Sequence, residues 1–202
     1  MRPAARLAAL VVALAAGAGL AAEFAGVMAR NGSALGTAWA LLRYFTVTTN
    51  LAVACLFTGL ALAREPHPRL VAGAALAIGL VGSVYWILLR DLPLGPGGRL
   101  PNLLLHLATP ILVPLYWLVA TRKGRLTKRD PLLWALYPLG YLVYAIIRAG
   151  ADGRYPYPFL DLGRLGLGPV ALVVTSITAS FMAAGFAVVW LDGLLGPGAG
   201  EA

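Results

Sequence analysis

Apolar residues run almost unbroken through six stretches of this chain, near residues 5–29, 37–63, 70–89, 102–120, 131–148 and 169–191. A helix needs about 20 such residues to cross the hydrocarbon core of a bilayer. The pattern therefore predicts an all-α, polytopic membrane protein, with six transmembrane helices in one bundle and one domain covering 1–202. The breaks carry turn formers or charge: Asn31-Gly32-Ser33, Arg64-Glu65-Pro66-His67-Pro68-Arg69, and the segments 93–101, 122–130 and 150–158. No internal repeat is visible. The first 22 residues imitate a secretory signal, with Arg2 and Arg6 ahead of an Ala-rich apolar stretch. The run continues past Glu23 to Ala29, long enough to span, so the segment is expected to remain as the first helix.

Two of these runs are interrupted by polar side chains, at Arg43-Tyr44-Phe45-Thr46-Val47-Thr48-Thr49-Asn50 and at Asn102-Leu103-Leu104-Leu105-His106. A charge near the bilayer centre costs roughly 3 kcal/mol on insertion scales, so such residues point to function. Residues three, four and seven apart share a helix face. Arg43, Thr46 and Asn50 obey that spacing on the second span, with Thr49 on its flank and Thr48 elsewhere. Asn102 and His106 share a face of the fourth. With Glu23 on the first span, Arg43, Thr46 and His106 are expected to converge at one level of the bundle.

Composition agrees with the hydropathy pattern. The chain is 60% hydrophobic and 12% charged, with a mean hydropathy of +0.81; a soluble domain is roughly half apolar and a quarter charged. The net charge of +8 would suggest nucleic acid for a soluble protein, but here the basic residues cluster at helix ends, and no nucleic-acid partner is expected. One side collects nine of them (Arg2, Arg6, Arg64, Arg69, Arg122, Lys123, Arg125, Lys128, Arg129) and the other six (Arg30, Arg90, Arg99, Arg148, Arg154, Arg164). By the positive-inside rule both termini are expected in the cytoplasm, which puts the polar cluster in the outer half of a cell membrane. Tyr116, Trp117, Trp134, Trp39, Tyr155 and Tyr157 fall near predicted interfaces, where amphipathic rings settle. The single cysteine, Cys55, precludes any disulfide framework.

Thr46 and His106 together offer a chemistry that neither offers alone. A hydroxyl is a weak nucleophile until a base takes its proton, and neutral imidazole is such a base. Arg43, one turn from Thr46, is placed to stabilise an oxyanion or to hold a carboxylate. Each residue also has a structural reading. A membrane threonine often returns its hydroxyl to a carbonyl one turn back, and a histidine can be a satisfied packing residue. Glu23 and Arg43 can pair to fix helix register, or Arg43 can snorkel to head groups. Asn102 can cap the fourth helix after Pro101. Other chemistries fit worse. His67, the second histidine, lies in a loop, so paired haem ligands are lacking; zinc lacks ligands. Lys123 and Lys128 both sit in a loop, away from any buried Schiff base, and Gly95-Pro96-Gly97-Gly98 is too short for a phosphate cradle. No cofactor and no metal are expected.

At these residues the chain resembles the androgen-induced membrane protein family, whose animal members are six-helix threonine hydrolases of fatty acid esters of hydroxy fatty acids. Arg43-Tyr44-Phe45-Thr46 is similar to the family's basic-Tyr-Leu-Thr segment, which holds its nucleophile. Asn102 to Pro110 is similar to its Asn-His-x-x-His-Thr segment, whose second histidine falls on His106. The stretch from Gly140-Tyr141 to Tyr157-Pro158-Phe159-Leu160 is similar to the one that ends in Tyr-Pro-Phe-Leu before the last helix. The blocks keep family order over spans two to six. Leu103 stands where the family has its first histidine, and Val-Thr-Thr-Asn follows Thr46 where animal members are apolar or acidic.

The resemblance implies a distant, bacterial-type member in which Thr46 and His106 are catalytic. Arg43, Asn50, Asn102, Glu23 and Tyr157 are then candidate supports or substrate contacts, and the expected partners are the membrane and a lipid or fatty-acid ester drawn from it. Two other classes remain open: a small-molecule or proton-coupled transporter using Glu23, Arg43 and His106, and a scaffold whose polar cluster serves helix packing. The sequence assigns no oligomeric state.

Overall fold

The computed structural model describes residues 2–197 and is helical, with no strand among the described residues. Five described helical stretches are long and apolar enough to cross a membrane: Pro3–Asn31, Pro68–Leu89, Arg99–Ala120, Asp130–Asp152 and Leu167–Leu194. A bent pair, Ala34–Leu41 with Phe45–Ala61, makes a sixth if it is taken as one span. The chain divides into two compact units, one ending at Arg122 and one beginning at Lys123.

In the first unit, α1 (Pro3–Asn31) begins with proline, whose missing N–H costs nothing in the first turn, and stops at Gly32 in the left-handed conformation. Its buried face is made of Ala9, Val12, Ala13, Ala16 and Gly19. Small residues at three- and four-residue spacing let backbones approach closely where lipid supplies no hydrophobic drive. α1 lies against α3 (Phe45–Ala61) and also meets the 104–108 turn. A Cβ on Gly19 would come within 2.6 Å of Leu105 Cδ2.

The second apolar run, expected as one helix over 37–63, is broken. Ser33 caps the short helix α2 (Ala34–Leu41) through Gly36 N–H, and Tyr44 is extended, so α3 departs at 101° to α2. Arg43 therefore sits in the break, buried, rather than on a helical face shared with Thr46 and Asn50. No glycine or proline marks this corner.

α4 (Pro68–Val84) is capped by His67, whose Nδ1 accepts Arg69 N–H at 3.2 Å. It runs into a π-helical turn at Tyr85–Leu89. The loop 90–98 leads to α5 (Arg99–Leu103), a second π turn at Leu104–Ala108, and α6 (Thr109–Ala120). α4 packs on α6 where Gly82 meets Pro110; a Cβ at Gly82 would lie 2.7 Å from the proline ring. Tyr116 and Trp117 are buried, and Tyr116 meets Phe57 edge-on at 5.0 Å. Their helix faces the protein at that turn, so their rings fill the core.

Loop 90–98 is held to α1 through its backbone. A Cβ at Gly97 would stand 2.4 Å from Glu23 Oε2, and one at Gly26 would stand 2.6 Å from both N and Cα of Gly97. Gly26→Ala is therefore expected to destabilise the fold by about 1–3 kcal/mol, because backbone cannot yield as a side-chain tip does. Gly17 on the same helix has open space within 4 Å of its would-be Cβ. Gly17→Ala is expected to hold or raise stability, by up to about 1 kcal/mol of helix propensity. Melting temperatures of the two variants in detergent check the opposite signs.

The second unit holds α7 (Asp130–Asp152), a 3₁₀ turn at Pro158–Leu160, α8 (Leu162–Leu165) and α9 (Leu167–Leu194), with α7 packed on α9. The expected end of the fifth span at Arg148 moves out to Asp152. Arg148 is buried, bonds Tyr144 OH at 2.6 Å and faces Asp152 at 3.8 Å, so the helix carries its charge with partners in place. The basic loop after Lys123 is shaped by Asp192, which is 1% exposed. Its Oδ2 accepts Arg125 N–H at 2.8 Å and Leu126 N–H at 2.9 Å. Asp192→Ala leaves two backbone donors bare and is expected to cost about 1–3 kcal/mol locally. Trypsin should then cut after Arg125, Lys128 or Arg129 several-fold faster than in the parent.

Candidate active site

Thr46 is the second residue of α3, just past the corner at 42–44. Its Oγ1 lies 3.3 Å from Nε2 of His106, sixty residues away on the second π turn. His106 Nδ1 lies 3.3 Å from the main-chain carbonyl of Asn102, one turn earlier. A carbonyl only accepts, so Nδ1 carries the hydrogen; in the neutral ring Nε2 is then the bare nitrogen. The network thus assigns Nε2 as acceptor for the Thr46 hydroxyl. Thr46 also stands in the first turn of its helix, where the peptide dipoles favour negative charge.

The π turn that carries His106 has an identifiable cause. Pro110 has no N–H, and its ring would crowd the carbonyl of His106 in a regular α-helix. The helix widens: Thr109 N–H bonds Leu104 O, five residues back. In that register the Leu105 carbonyl would pair with residue 110, which has no hydrogen to give. Asn50 supplies the donor. Its Nδ2 reaches Leu105 O at 3.3 Å and Thr46 O at 2.9 Å, while its Oδ1 accepts the Thr109 hydroxyl at 2.7 Å. Both amide hydrogens and the carbonyl are engaged, so Asn50 ties the Thr46 helix to the His106 turn rather than reaching for a ligand. It and Thr109 are fully buried.

The remaining expected residues fall as follows. Asn102 is not a helix cap: the cap position is Gly98, in a backbone conformation glycine tolerates, and Asn102 lies inside α5. Its side chain donates to Tyr85 OH at 2.7 Å. Glu23 faces the Gly95–Gly97 backbone and accepts the Gly97 N–H, so its partner is that loop and not Arg43. Loop glycines bring main chain within reach of the carboxylate, which a reading of side chains alone does not foresee. Tyr157 belongs to the second unit, where its ring stacks on Phe159 at 5.2 Å. Thr48 returns its hydroxyl to Phe45 O at 3.1 Å, the structural role common for membrane threonines.

Two residues of the cluster were not singled out in the sequence. Tyr85 stacks on the His106 ring, centroids 4.3 Å apart and planes 29° from parallel. Thr109 completes the Asn50 network. Each is a polar group embedded in an apolar run, and Thr109 stands directly before Pro110, a signal that was available. Among the described residues no three His, Cys, Asp or Glu side chains gather as a metal site requires. Compared with protein-family models, curated proteins and solved structures, the chain matches none.

Proposed function

We propose that this chain is an intramembrane hydrolase of lipid, chiefly fatty-acid, esters, with Thr46 as nucleophile and His106 as base. The observation that carries the reading is the 3.3 Å approach of Thr46 Oγ1 to His106 Nε2, with Nδ1 turned to a carbonyl. In the first half-reaction Oγ1 attacks the ester carbonyl carbon while Nε2 takes its proton. The tetrahedral oxyanion collapses, the alcohol leaves with the proton from the imidazolium, and an acyl-threonine ester remains. In the second, His106 takes a proton from water as it attacks that ester, then returns it to Thr46 as the fatty acid departs. The positive end of the α3 dipole favours the developing negative charge at Thr46, and the buried Arg43 of the preceding corner is the cation proposed to add to it.

The resemblance to the androgen-induced family supports the same pair, and the bias of basic residues supports termini in the cytoplasm with the pair in the outer half. The transporter alternative draws less support, because Glu23 is engaged with the Gly97 backbone instead of forming an ion path with Arg43.

A fluorophosphonate probe and a fatty-acid ester of a hydroxy fatty acid, applied to the purified protein, test the reading. The parent, Thr48→Ala and Thr49→Ala are expected to label and turn over; Thr46→Ala is expected to do neither, with the adduct mass mapping to Thr46. Undiminished labelling of Thr46→Ala, or no reaction of the parent with any lipid ester, would overturn it.

A further inference from the structure

We propose that Tyr85 is the positioning residue for His106, acting with Asn102 in the place that a carboxylate occupies beside the histidine of a serine hydrolase. The inference rests on the hydrolase reading for its kinetic consequence but not for its structural one. Among the described residues no carboxylate touches His106: its ring meets Thr46, the Asn102 carbonyl and the face of Tyr85. A ring held by a single hydrogen bond on Nδ1 can still rotate about that bond, and it can flip to present the wrong nitrogen. Tyr85 opposes the first with its face, and the second by holding Asn102, whose carbonyl selects Nδ1.

Its ring lies at 4.3 Å and 29° on the imidazole, which fixes the plane. Its oxygen accepts the Asn102 side-chain amide at 2.7 Å, which fixes the residue whose main-chain oxygen receives Nδ1–H. Tyrosine, Asn102 and His106 thus form a closed circuit, each touching the other two. A leucine would supply bulk without the flat face, and a phenylalanine would supply the face without an acceptor for Asn102. Tyrosine also suits the moment of proton transfer, because an aromatic face attracts the imidazolium that forms on it. A neutral amide carbonyl alone gives that cation less than a carboxylate would.

The backbone is built for this contact. Tyr85 opens the π turn 85–89 and His106 lies in the π turn 104–108. Each extra residue per turn re-aims the side chains around it, and such turns concentrate at functional sites. Gly82, one turn before Tyr85, lets the two helices close to Pro110.

The experiment uses full-length protein carrying His67→Gln, so that the ¹⁵N imidazole spectrum reports His106 alone. The parent spectrum is expected to show one neutral tautomer with the hydrogen on Nδ1. Tyr85→Leu is expected to show a mixture of tautomers, and Tyr85→Phe a smaller admixture. Turnover of the fatty-acid ester is expected to fall roughly five- to tenfold in Tyr85→Phe, the rate equivalent of one neutral hydrogen bond. That loss should appear in kcat with KM unchanged, and Asn102→Leu added to Tyr85→Phe should cost nothing further.

A parent-like tautomer in Tyr85→Leu, or in Tyr85→Phe should the leucine variant not fold, overturns the proposal. So does a loss confined to KM, or additive losses in the double variant. If Thr46→Ala keeps full turnover the hydrolase reading fails by itself, and the spectra still decide whether Tyr85 orients the ring.

Discussion

Replacing His106 with alanine is expected to lower ester turnover roughly 10²- to 10⁴-fold, the range for loss of a general base. The folded state should change little, since the ring is only partly buried and its contacts are one long bond at each nitrogen and one stack. His106→Gln sharpens the test. Glutamine keeps a polar tip near Thr46 but cannot accept a proton, so its turnover should match alanine rather than the parent. Fluorophosphonate labelling should fall in parallel with turnover in both variants, because each step begins with the same proton transfer. Turnover within threefold of the parent in either variant would remove the imidazole from the mechanism.

The second large effect is expected in stability. Asn50→Leu keeps the branched heavy-atom skeleton while deleting two donors and an acceptor from a fully buried position. The Thr109 hydroxyl loses the acceptor it holds at 2.7 Å and the Leu105 carbonyl loses the Asn50 amide, which leaves them only each other across a long 3.4 Å contact. A buried polar group left bare costs about 1–3 kcal/mol, and the Thr109–Leu105 contact makes good only part of what is lost, so a loss of about 1–3 kcal/mol is expected. Asn50→Asp isolates the donors: it keeps an acceptor for Thr109 but presents bare oxygen to two carbonyls, and should be at least as damaging. Melting in detergent reads both. A change below about 1 kcal/mol in both variants would mean that the Asn50 network does not hold α3 to the π turn.

The long helices were legible because each is an uninterrupted apolar run of spanning length, and hydropathy alone locates such runs. Thr46 and His106 were legible for the converse reason: polar groups stand out in that background. What was hidden lay in the backbone. The corner at 42–44 has no glycine or proline, so the second run reads as one straight helix and Arg43 as a residue on the face of Thr46 and Asn50, whereas it sits in the break before that helix. The π turn before Pro110 had a visible cause, whereas that at Tyr85–Leu89 has none in sequence. The role of Tyr85 leaves no mark in the sequence, because its stacking partner is 21 positions away. Glu23 was matched to the wrong group because its partner is an N–H, which every residue but proline possesses and which therefore leaves no mark.

The meeting of Gly26 with Gly97 has a consequence for how this chain can vary. Two points remote in the chain must both lack a side chain for the 90–98 segment to lie where it does, so neither can drift alone. Distant kin that preserve this architecture are thereby recognisable by a paired vacancy, a residue of hydrogen size late in the first helix matched by another just ahead of the helix bearing the imidazole, even where nothing else in the two sequences can be aligned.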